Sequence, residues 1–264
     1  MRRSSLIASS ALLLLMCGCG ESDEKTRKAK HTKEPAAASE PADQTPTSNP
    51  SFPYLSDDNA EAFLRDYLAE RPERNISLTT RHGTLKIELF DDTPLHTANF
   101  LMMIEREYFD GTEFTRIAKD FVVQGGNSES ETDEIKRLVI GNYLIPSEIR
   151  EEHIHKKGAL AMARSYEDNP DKMSSAYDFY IITGQTFNEP QLMGMERQHE
   201  MTIPEWKRKI YRTEGGAPHL DGQHTVFGQV TGGYDVLEKM NNTPVDESNW
   251  PLNSLTMEME ILDD

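Results

Sequence analysis

Past residue 19 the chain contains no cysteine; both of its two, Cys17 and Cys19, fall at the start of a 264-residue sequence. The body of the protein therefore has no disulfide and no thiolate, which excludes cysteine-ligated zinc and cysteine nucleophiles there. Positive charge is also scarce, with 28 Lys and Arg against 45 Asp and Glu and a formal net charge of -17. Such a chain lacks the basic face that releases counterions from a phosphate backbone, so nucleic acid is not an expected partner. The apolar run Leu6–Met16 is too short to cross a bilayer as a folded helix. There is no Gly-x-Ser-x-Gly elbow, no Gly-x-Gly-x-x-Gly and no Gly-Lys-Ser, so Gly125-Gly126 reads as a tight β turn and not a phosphate loop. His153 and His155 sit on a polar, acidic segment and read as solvated residues, with no metal and no cofactor expected.

What is present suits one main globular domain with extensions, since 36% of the residues are hydrophobic. Residues 1–18 read as a signal peptide: Arg2 and Arg3 make a basic start, the apolar run follows, and Gly18 precedes Cys19. Leu15-Met16-Cys17-Gly18-Cys19 resembles a bacterial lipobox. That likeness implies lipidation at Cys19 and a lipid-anchored protein in the envelope of a Gram-negative bacterium, periplasmic or surface-exposed. Residues 19–53, with Pro35, Pro41, Pro46, Pro50 and Pro53, bury too little apolar area to offset their ordering entropy and read as a disordered tether.

Within 54–75, Ala60, Phe63, Leu64, Tyr67 and Leu68 share one helical face, with Ser56 as N-cap and Pro72 as stop, predicting an amphipathic helix docked on the domain that follows. Residues 76–264 form that domain. Ile76–Thr80 and Thr84–Phe90 make a hairpin near His82-Gly83, and Thr93-Pro94 opens a helix with Leu95, Ala98, Leu101 and Met102 on its apolar face. After a polar stretch of little periodicity, Gly158–Arg164 and Asp178–Thr183 read as strands, Tyr234–Met240 as a second helix and Thr256–Leu262 as a closing strand. The pattern predicts an all-β domain with two main helices, closed as an eight-stranded antiparallel barrel. Residues 184–217 are an insertion in which Thr202–Glu205 has capping-box spacing and Ile203, Trp206 and Ile210 mark a short helix.

The chemistry concentrates in Phe114–Asn127, two short β runs with a polar link and a Gly-Gly stop. Strand alternation places Phe114, Arg116 and Ala118 on one face. By pattern alone Arg116 is equally well a snorkelling arginine at a sheet edge. The spacing Phe-x-Arg-Ile followed by Phe-x-x-Gln-Gly-Gly, with Leu220-Asp221-Gly222, His224 and Val226-Phe227-Gly228 further on, resembles the cyclophilin peptidyl-prolyl isomerases.

The resemblance implies a monomeric enzyme that turns Xaa-Pro bonds of exported polypeptides without a cofactor, assisting folding in the cell envelope. Arg116 and Gln124 would be catalytic. Phe114, Phe121, Val122, Ala163, Asp178, Tyr180, His219, Leu220 and His224 would bind the proline-containing segment. Val122, Tyr180, Asp178 and His219 stand where the animal-type pattern has methionine, phenylalanine, glutamine and tryptophan, and His219 lacks the indole donor that helps bind cyclosporin. The alternative is a non-catalytic module of the same fold that holds proline-containing segments.

Overall fold

The computed structural model describes residues 52–263; the leader, Cys19 and the tether as far as residue 51 lie outside the described residues. In chain order the first half contains β1 (Leu55–Ser56), α1 (Ala60–Ala69), β2 (Asn75–Thr80), β3 (Gly83–Leu89), α2 (Pro94–Glu105), β4 (Phe114–Ala118), β5 (Val122–Gly125), α3 (Glu131–Ile140), β6 (Gly141–Asn142) and β7 (Leu144–Ile145). The second half contains β8 (Ala159–Met162), β9 (Ser174–Ser175), β10 (Phe179–Ile182), α4 (Glu189–His199), α5 (Glu205–Thr213), a 3-10 turn (Pro218–Leu220), β11 (Val226–Gly232), α6 (Tyr234–Asn241) and β12 (Glu258–Ile261).

Eight strands pair antiparallel in the order β12-β2-β3-β11-β8-β10-β5-β4. The expected closed barrel is corrected to a half-barrel: no ladder joins β12 to β4. A single bridge, Glu113 to Thr256, links the segments that lead into these end strands, with Phe114 N donating to Leu255 O at 2.9 Å. Closure needs a continuous register at the seam, and here the contacts stay in the segments leading into the end strands, where Gly111 N donates to Met257 O and Met257 N to Thr112 O at 3.0 Å each.

To the two main helices, the amphipathic helix of 54–75 and the short helix of the insertion, the structure adds α3 and α4, six in all among the described residues. α2 fills one mouth of the half-barrel and is buried at every position from Leu95 to Ile104, as befits a helix enclosed on all sides. Phe100 packs against Phe109, Phe179 and Phe227 at ring distances of 4.8, 5.3 and 5.2 Å. Burying His96, Thr97 and Asn99 requires partners. Thr97 Oγ1 donates to Phe90 O, and Asn99 is held between Ala176 O and Tyr143 Oη. Thr93 makes no side-chain cap. The distant Glu148 caps instead: its carboxylate accepts from Leu95 N and His96 N at 3.0 Å each, placing negative charge where the helix dipole favours it.

α1 packs its buried Ala60 and Leu64 into the main core beside α2. It starts after Asn59 rather than Ser56, whose backbone N donates to the Asn59 side chain. α3 lies in the stretch without periodicity, yet its end signals are in the sequence: Ser130 accepts from Asp133 N, acids fill the first turn and Gly141 follows the last residue. Gly141 is required, because an added Cβ would lie 1.9 Å from Leu55 O, where β1 runs beside β6.

The insertion folds as α4 and α5 around Leu192, Ile203 and Tyr211, with Ile154 from the main domain. Its capping box is at Asn188 and Gln191, at the start of α4, and not at Thr202–Glu205; α5 begins after Pro204 without a side-chain cap. Pro204 explains the shift, since its ring presets the φ of a position just outside the helix.

Candidate active site

The bulge in β4 decides which side chains face outward. An extra residue on one strand reverses the alternation beyond it, so Phe114 and Ile117 point into the main core while Arg116 and Ala118 reach the other face. This corrects the expectation that Phe114 shares a face with Arg116. Phe114 is 1% exposed and meets Phe179 edge-on at 6.0 Å, which removes it from contact with a bound segment.

On the outward face, β4, β5, β8 and β10 floor a cleft of about 240 Å³. Eight of the eleven candidate residues line it: Arg116 and Gln124 on one side, Tyr180, Val122 and Ala163 below, and Phe121, Leu220 and His224 around the rest. The Gly125-Gly126 stop lets β5 end tightly under the next segment; an added Cβ at Gly126 would lie 2.5 Å from Tyr177 O. Asp178 and His219 do not line the cleft but touch residues that do. Arg164 and Tyr166 line it and were not among the candidates. Arg164 closes the small-residue run Gly158–Arg164, whereas Tyr166 is a 65% exposed aromatic in a polar loop, for which no periodic signal exists.

One polar chain runs along the Arg116 side. Both Asp178 carboxylate oxygens accept from Gln124 Nε2, at 3.1 and 3.0 Å, which turns Gln124 Oε1 toward Arg116 Nη1 at 3.4 Å. That last contact is long, and Arg116 makes no other hydrogen bond among the described residues, so its remaining N–H groups are available at the cleft. The guanidinium also lies 5.8 Å from the Phe121 ring centre. Burial pushes the Asp178 carboxyl up to about 6, against the opposing effects of the Gln124 hydrogen bond and the Arg116 charge.

On the opposite side, where Arg164 lies 4.2 Å over the Tyr166 ring, the histidine is neutral. His224 Nδ1 faces Met162 O at 3.3 Å and so donates, leaving Nε2 to accept from Tyr166 Oη at 2.7 Å. Burial first, and then the neighbouring His155, push His224 down to about 4. An NMR titration is expected to show a neutral His224 ring from pH 8 to about 5, with protonation near 4; an inflection in the ordinary range of an exposed histidine would contradict this environment.

His155, read from the sequence as solvated, is fully buried behind Tyr180. Its Nε2 lies 3.1 Å from Tyr180 Oη and its Nδ1 3.2 Å from Asp221 Oδ1. His153 bonds Asp92 at 2.7 Å and stacks on Phe90. Among the described residues no cluster of three metal-ligating side chains occurs.

A family model described as cyclophilin type peptidyl-prolyl cis-trans isomerase/CLD matches residues 75–260. A Staphylococcus saprophyticus protein named for a candidate peptidyl-prolyl cis-trans isomerase is 31% identical over 70% of this chain and 90% of its own. Peptidyl-prolyl cis-trans isomerase-like 2 of Rhizopus delemar is 31% identical over 66% of this chain but only 26% of its own length. Among solved structures, a Cryptosporidium parvum cyclophilin type peptidyl-prolyl cis-trans isomerase aligns with a TM-score of 0.52 at 22% identity, covering 73% of this chain and 99% of that one.

Proposed function

The chain belongs to the cyclophilin-type peptidyl-prolyl cis-trans isomerases, and from that premise we propose that the cleft beside Arg116 turns Xaa-Pro bonds of exported polypeptides and so assists their folding in the cell envelope. Rotation about such a bond is slow because the nitrogen lone pair is delocalised into the carbonyl, with a barrier of about 18 to 20 kcal/mol. A catalyst needs neither nucleophile nor metal for this; it needs an environment that favours the twisted amide over the planar one.

The observation that carries the reading is the placing of a guanidinium with unused donors beside an apolar cleft. The proline ring rests on Tyr180 between Phe121, Val122, Leu220 and His224, and Ala163 leaves room for the residue before it. Arg116 donates to the prolyl nitrogen as conjugation is lost, or holds the preceding carbonyl, while Gln124 keeps the guanidinium in place. One charge-assisted hydrogen bond contributes roughly 1.5 to 3 kcal/mol, so the preorganised electrostatic field of the cleft supplies the rest.

The test follows cis-to-trans conversion of an Xaa-Pro peptide. Concentration-dependent acceleration by the protein is expected, whereas peptide binding without acceleration would establish the non-catalytic module instead. The envelope location rests on the sequence around Cys19, and its check is labelled palmitate. Incorporation that persists in Cys19→Ser would remove the lipid anchor.

A further inference from the structure

We infer that the insertion carrying α4 and α5 is a positioning element of the cleft, holding Tyr180 through Asp221 and His155 and thereby setting affinity for the proline-containing segment. The inference rests on reading the cleft as the proline seat. From α5, Tyr211 Oη donates to Asp221 Oδ1 at 2.8 Å and Lys207 Nζ donates to Oδ2 at 3.2 Å. Asp221 then fixes His155 twice, accepting from its backbone N at 2.9 Å and from ring Nδ1 at 3.2 Å. With Nδ1 donating, Nε2 accepts the Tyr180 hydroxyl at 3.1 Å.

Tyr211 and His155 are fully buried, and Tyr180 is 4% exposed. In such surroundings a removed partner leaves an unsatisfied polar group, so each bond constrains the next. The route begins on a residue that also belongs to the insertion's own core, since Tyr211 packs with Leu192 and Ile203. It ends on the aromatic ring that floors the cleft.

A second contact points the same way. His199, the last residue of α4, stacks on His219 at 5.3 Å, and His219 stacks on Phe121 at 5.4 Å. The insertion therefore touches both the floor and one wall of the cleft, but not Arg116. A floor and a wall act on the seated ring alike in the planar and twisted states, so their displacement weakens binding without slowing turnover.

The experiment uses the full chain and compares Tyr211→Phe and Lys207→Met with Tyr180→Phe and with the corresponding double variants. It measures KM and kcat for an Xaa-Pro peptide and, by calorimetry, the Kd of a proline peptide. Circular dichroism checks that each variant is folded. Each α5 variant is expected to raise KM and Kd about three- to tenfold, the worth of the neutral Tyr180–His155 hydrogen bond at the end of the route, with kcat close to the parent's. In the Tyr180→Phe background the same changes should add nothing. Parental affinity in both α5 variants, or losses that add in full to that of Tyr180→Phe, would overturn the inference. A parent that binds the peptide without turnover would overturn the catalytic reading alone, because the Kd comparison still decides the coupling.

Discussion

Arg116→Ala is expected to lower kcat/KM for an Xaa-Pro peptide by roughly ten- to a hundredfold, while the peptide's Kd stays within a few-fold of the parent's. The magnitude follows from one charge-assisted hydrogen bond at about 1.4 kcal/mol per decade of rate. The split follows from where the bond acts. In the planar amide the prolyl nitrogen is a poor acceptor, and it becomes a good one only as the lone pair localises in the twisted state. An interaction made only there lowers kcat and kcat/KM together. The apolar cleft that seats the ring is untouched by the change. Arg116→Lys should recover little, because an ammonium cannot reach both Gln124 and the substrate as the planar fork can. Parental kcat/KM in Arg116→Ala would remove Arg116 from the chemistry.

The second large effect is on stability. Asp178 is buried and its carboxyl is pushed from 3.8 up to about 6, so ionising it in the folded protein costs on the order of 3 kcal/mol relative to the unfolded chain. The sign follows from linkage. Because the folded value is the higher one, the penalty is absent below about pH 4, grows between 4 and 6, and is complete above 6. Asp178→Asn keeps an oxygen to accept from Gln124 Nε2 and removes the charge. It should therefore stabilise the protein by up to about 3 kcal/mol at pH 8 and by nothing at pH 4. Urea unfolding at the two pH values measures the difference; a variant no more stable than the parent at pH 8 would show that burial does not raise the Asp178 carboxyl in the folded protein.

Most of this cleft was legible through the resemblance to the cyclophilin family, whose motifs fix residues at set offsets on neighbouring strands. Arg116 pairs with Gln124 across β4 and β5, where short-range spacing translates directly into proximity, whereas the pairing of Gln124 with Tyr180 across β5 and β10 joins distant segments and was implied only by the resemblance. Phe114 failed for a reason that alternation cannot see: a bulge leaves no mark in the order of apolar residues. Asp178 and His219 sit behind the lining, at Gln124 and Phe121, and a one-dimensional pattern does not separate residues that touch a ligand from those that touch its neighbours. α3 was missed although Ser130 and Gly141 mark its ends, because its exposed surface leaves few apolar residues to show a period. His155 looked solvated beside Glu151 and Glu152; the partners that allow its burial, Asp221 and Tyr180, are 66 and 25 residues away.

The cap on α2 bears on how the chain reaches its fold. Leu95 N waits for a carboxylate 53 residues further on, and the ring of His96 waits for Ser174, 78 residues on. Until both arrive, the N-terminus of the central helix has unmet donors and a polar ring without a partner. β2, the first long strand, is in turn completed by β12, the last, with Ile76 opposite Ile261. Contacts of such wide sequence separation carry the loop-closure entropy that slows folding. The domain is thus expected to gain its packed core late and in one step, only after its final strand is available.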